Sequence, residues 1–100
     1  MKFPDKIKLF YKEYKINYKD EVLYLDSEVV FGKINFDRKE IEISVVGKTD
    51  SEILEILLHE LNHAVINEMR ISAILNNENE EDIVCALTTG WTDIILRNEL

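Results

Sequence analysis

Cysteine, proline and glycine are nearly absent from this chain of 100 residues, which holds 1 Cys, 1 Pro and 3 Gly. The single thiol, Cys85, rules out an internal disulfide framework, and so few backbone breakers exclude a collagenous or low-complexity chain. No run of 18 apolar residues occurs, which excludes an ordinary membrane-spanning helix. Without an apolar leader at the N-terminus, a cytoplasmic setting is expected. Histidine is almost as scarce, with 2 in the whole chain.

Positive charge is also in short supply. There are 12 Lys and Arg against 20 Asp and Glu, a net charge of -8. A surface of that sign repels phosphate backbones, so nucleic acid is not expected as a direct ligand. The imbalance is uneven: residues 1–20 hold six Lys against Asp5, Glu13 and Asp20, a balance of +3, which leaves -11 for the rest.

What is present is the composition of a folded domain, 46% hydrophobic and 32% charged. One hundred residues build one core, so residues 1–100 are expected to form a single domain. The first half carries the period of β-strands. Ile7, Leu9 and Tyr11 alternate with lysines, the pattern resumes at Tyr14, Ile16 and Tyr18, and a turn falls near Tyr11 to Glu13. Glu21 to Asp26 and Glu28 to Phe36 are rich in β-formers, and Asn35 to Lys39 supplies turn residues. Alternation returns from Lys39 to Val46, with Ile41, Ile43 and Val45 on one face. Short connections predict an antiparallel sheet, and Gly32 within a strand predicts a bulge. The four tyrosines on these strands are expected to pack within the sheet.

At Gly47 the period changes. Thr49-Asp50-Ser51-Glu52 has the form of a capping box, with Thr49 as N-cap, and predicts a helix over about 50–69. Its stripe of Ile53, Leu54, Leu57, Leu58, Leu61, Ala64 and Val65 would face the sheet. Asn76 to Asp82 reads as a solvated loop. Ile83, Val84, Leu87, Trp91, Ile94 and Ile95 then predict a second amphipathic helix over about 81–96, with Trp91 in the core and Gly90 costing about 1 kcal/mol relative to Ala. The fold class is therefore α+β.

Both histidines fall in one short motif, His59-Glu60-Leu61-Asn62-His63, the spacing HExxH. On a helix, residues four apart lie one above the other, so His59 and His63 can present imidazole nitrogens to one metal ion. Glu60 projects elsewhere around the axis, where a carboxylate can act as general base toward water activated by the metal. In a chain of this composition the motif arises by chance about once in 400 sequences. Catalytic zinc usually takes three protein ligands, and the second helix offers Glu81 and Cys85 on one face. A glutamate would complete a His, His, Glu set; Cys85 would instead supply a thiolate. Residue types alone leave the two open.

These residues resemble a known family. The Ile41-Glu42-Ile43 strand, the stretch from Glu55 to Ala64 containing HExxH, and the segment from Glu81 to Gly90 look like the small zinc metallopeptidase-like proteins of phages and mobile elements related to the ImmA/IrrE group. The resemblance covers most of the chain. It implies a minimal zincin-like core, with a small antiparallel sheet (strands in 6–46) against the HExxH helix and a C-terminal helix that delivers the third ligand. Registered on Ala86, Leu87 and Gly90, the family's third-ligand glutamate falls here on Cys85, with Glu81 one turn earlier as the alternative carboxylate. It also implies a Zn²⁺-dependent peptidase with Glu60 as base, acting on a protein or peptide such as a phage repressor or a host protein. Two other readings are compatible with the residues: a catalytically inactive, zinc-stabilised module that binds proteins through its acidic surface, and an acidic mimic of nucleic acid.

Overall fold

The structure, a computed structural model, describes residues 1–98, apart from the side chain of Ser72. Six strands come first: β1 (Lys6–Leu9), β2 (Lys12–Lys19), β3 (Leu23–Leu25), β4 (Glu28–Val30), β5 (Gly32–Asn35) and β6 (Glu40–Ser44). Two helices follow, α1 (Asp50–Glu68) and α2 (Asn77–Asn98), joined through a 3₁₀ turn at Ile71–Ala73. The α+β class is as expected from the sequence.

The four-stranded sheet has the order β1-β2-β6-β5, and β3 pairs with β4 as a separate hairpin. Its interior face brings together Ile16 with Ile41, Tyr18 with Ile43 and Ile34 with Ile41. On the other face Lys8 lies across from Glu13, Lys15 from Glu40 and Lys33 from Glu42. These three opposite-charge pairs outnumber the one like pair on that face, Lys6 across from Lys15, and a slip by one residue would turn the isoleucines to solvent.

The expected antiparallel sheet is corrected on one pairing. β2 and β6 run parallel, so the sheet is mixed. A parallel pair needs a crossover of a dozen or more residues, and residues 20–39, carrying the β3–β4 hairpin and β5, provide one. Neighbours in space are not neighbours in sequence here. The run from Glu28 to Phe36 is also divided between two sheets. Between β3 and β4 the chain reverses over Asp26 and Ser27, both at positive φ, the backbone of a tight two-residue hairpin turn.

The capping box at Thr49 is present: its hydroxyl accepts from the Glu52 backbone N–H at 3.2 Å, and Glu52 Oε1 accepts from the Thr49 N–H at 3.0 Å. Ile53, Leu57 and Ala64 of α1 join Tyr14, Ile16, Ile41 and Ile43 in the core. Val65, expected to face the sheet, is instead exposed. Tyr14 is fully buried and Tyr18 partly so, whereas Tyr11 at the β1–β2 turn and Tyr24 are exposed, contrary to the packing expected for all four.

The last turn of α1 is locked to the sheet by Glu68. Its Oε2 accepts from the Tyr14 hydroxyl at 2.5 Å and from Lys39 Nζ at 2.8 Å, while Lys12 lies 3.7 Å from Oε1. The hydrogen bond from Lys39, then that from Tyr14, draws the Glu68 carboxyl down to about 2 from its usual 4.5. A lowered native pKa stabilises the fold above the unfolded value, and that contribution is lost as pH falls through the native one. Glu68→Gln should therefore destabilise the protein by about 1–2 kcal/mol at neutral pH. Thermal melts from pH 7 downward should show the difference shrinking below about pH 4.5 and vanishing near pH 2.

Candidate metal centre

The stripe of α1 that faces the sheet repeats at Ile53, Leu57, Glu60 and Ala64, all buried. A carboxylate thus occupies a position of the apolar face, 7% exposed. Room for it comes from Gly32, where a Cβ would stand 2.8 Å from Ile56 Cγ2 and 3.2 Å from both Cγ and Oε2 of Glu60. Gly32 begins β5 and marks this close approach rather than the bulge expected from its place in a strand.

His59 and His63 lie about a quarter turn round α1 from Glu60 or less, at the boundary with α2. Glu81 of α2 reaches between them: its Oε1 is 3.0 Å from His59 Nε2, and its Oε2 is 3.2 Å from His63 Nε2. One donor atom from each of the three residues lies within 4.8 Å of the others. Donors on a tetrahedral zinc ion at about 2.0–2.1 Å sit roughly 3.3 Å apart. The three side chains fit an ion between them with small adjustments.

Cys85 lies one turn further along α2, exposed, with Sγ 3.8 Å from Glu81 Oε1. Among the described residues it does not belong to the cluster. Local desolvation of the sulfur, together with the Glu81 carboxylate, raises its pKa above the usual 9.0. Of the two alternatives for a third donor, the geometry brings in Glu81.

The cluster has a support absent from the sequence reading. Glu80 Oε2 is 2.7 Å from His63 Nδ1, a carboxylate holding the far side of an imidazole whose Nε2 faces Glu81. Such a contact orients a histidine for metal binding and raises its basicity. Asn62 Nδ2 also donates to Thr88 Oγ1 at 3.1 Å, tying α1 to α2. Glu80 escaped notice because Asn76 to Asp82 read as a loop, whereas α2 already begins at Asn77. The missed signal is Asn76, whose Oδ1 accepts from the Asn79 N–H at 2.8 Å in the manner of an N-cap.

Burial lowers the pKa of His59 from its usual 6.5, against an opposing pull from Glu81. The imidazole is accordingly neutral at physiological pH, the form that ligates metals. Burial likewise lifts Glu60 from 4.5 to about 7, moderated by His63 and reinforced by Glu81. Beside the cluster a groove of about 450 Å³ runs between Val30, Phe31 and Gly32 on one side and Ile56, His59 and Glu60 on the other. Lys48 sits 3.6 Å over the Phe31 ring. Comparison of the chain with protein-family models, characterised proteins and solved structures found no match.

Metal analysis of the purified protein should find about one divalent ion per chain. The ion should be lost in His59→Ala, His63→Ala and Glu81→Ala and retained in Cys85→Ala. In the metal-free protein, a raised native pKa means that Glu60 costs stability progressively as pH climbs from 4.5 to about 7. The gain in melting temperature from Glu60→Gln should grow over that interval and level off above it.

Proposed function

We propose that this protein is a zinc-dependent metallopeptidase built on a minimal zincin-like core. The observation that carries the reading is the convergence of His59, His63 and Glu81 donor atoms, with buried Glu60 beside them. Zinc held by those three residues would supply a Lewis acid that polarises the scissile carbonyl and makes water more acidic. Glu60, poised near neutrality, accepts the proton of the attacking water and passes it to the leaving amine. Glu80 holds His63 in orientation, and the groove along Phe31 and Ile56 takes the peptide on either side of the cleaved bond. The substrate is a cytoplasmic protein, in line with the resemblance a regulator such as a phage or mobile-element repressor.

A second reading, a catalytically inactive zinc-stabilised binding module, is favoured by one observation. Among the described residues of α2 only Val84 and Thr88 are buried, so an ion shared by α1 and α2 would add much of the attachment between them. Incubation of zinc-loaded protein with a peptide library, read by mass spectrometry, separates the two. Cleavage that falls by roughly 10²–10⁴-fold in Glu60→Gln, while bound zinc stays unchanged, is the expected result. Zinc binding that raises the melting temperature without any cleavage would replace the peptidase with the binding module.

A further inference from the structure

α2 was expected to bury its apolar residues, with Trp91 as a core anchor, and it does not. Val84 lies in the core, but Ile83, Leu87, Trp91 and Ile94 face solvent, Leu87 44% and Trp91 50% exposed. We propose that this outer face of α2 is the contact surface of a homodimer, in which α2 of one copy packs against α2 of another with Gly90 at the closest approach.

Four observations select a second copy as the occupant. Ile83, Leu87, Gly90 and Ile94 recur at spacings of four, three and four, the seam spacing of paired helices. Gly90 lies inside a helix, at a cost of about 1 kcal/mol relative to Ala, yet a Cβ there would meet nothing within 4 Å of its own chain. Packing within one copy gives that glycine no purpose; a second helix passing close to the backbone does. The chain also exposes 7029 Å², against about 5,900 Å² for a folded monomer of its 11.7 kDa. The excess, roughly 1,100 Å², belongs to the whole surface, of which Ile83, Leu87, Trp91 and Ile94 form the exposed apolar part carried by α2.

Charge argues in the same direction. Between Ile83 and Ile94 the only charged residue is Asp93, which projects about 90° round the helix from the seam and pairs with Arg97 at 2.7 Å. A basic partner would find no acids on this face to engage, whereas a second copy meets an uncharged surface. A parallel arrangement would set the acidic first turns, with Glu78 and Glu80, side by side. The antiparallel one separates them, placing Leu87 across from Gly90 and Ile83 across from Ile94.

Sedimentation equilibrium of the full chain, followed against concentration and salt, tests this. A particle of twice the chain mass is expected at micromolar concentration. It should tighten as salt screens repulsion between two copies of charge -8. Trp91, the single tryptophan, should shift its emission to the red on dilution as it returns to water. Leu87→Glu and Gly90→Leu, at positions open in the single chain, should weaken association at least about tenfold with unchanged far-ultraviolet circular dichroism. A monomer under all conditions, a dimer indifferent to both variants, or one that weakens with added salt would overturn the proposal.

Discussion

The site depends on the seating of Glu60 over Gly32, because that contact sets the rotation of α1 about its own axis. With Ile53, Leu57 and Ala64 facing the sheet, Glu60 must enter the same buried row, and His59 and His63 are carried to the flank. A side chain at position 32 would collide with Ile56 and Glu60. Either the helix would roll or the carboxylate would be displaced toward water. Burial in that row is also what lifts Glu60 toward neutrality, so the packing that anchors the helix is the cause of its acid–base character.

The opposite end of α1 uses carboxylate chemistry in the reverse sense. Glu68 is only partly buried where Glu60 is buried, and it meets Lys39 and Tyr14, whose hydrogen bonds hold it ionised. Two glutamates on one helix, eight residues apart, thus have carboxyl groups pushed in opposite directions by what surrounds them. The first is available to exchange a proton near neutral pH. The second remains charged and fastens the helix to β2 and to Lys39 in the turn before β6.

α2 is the less anchored partner. It reaches α1 through Val84, Thr88 and the contacts of Glu80 and Glu81 with the two histidines. Two carboxylates facing two imidazoles make an arrangement that a divalent cation would consolidate. Its uncovered face, with an otherwise unaccounted-for Gly90, is where a second helix would add the apolar burial that the single chain lacks.

Local pattern was enough to identify the α+β class, the cap at Thr49, the places of Ile53, Leu57 and Ala64 in the core row of α1 and the His59–Glu60–His63 spacing, though not the exposure of Val65 or the burial of Glu60 in that row. The parallel pairing of β2 with β6 was not legible in this way, since it is decided by how 20 intervening residues fold back on the sheet. Nor was the choice between Glu81 and Cys85. Both lie on one face of α2, and only the relative placement of two helices determines which comes between the histidines. Gly32 had the same ambiguity: a glycine in a strand permits several geometries, and the reason for this one sits on a helix 28 positions away. Side-chain spacing along an element follows from covalent geometry and hydrogen bonding, whereas distances between elements follow from packing the whole core.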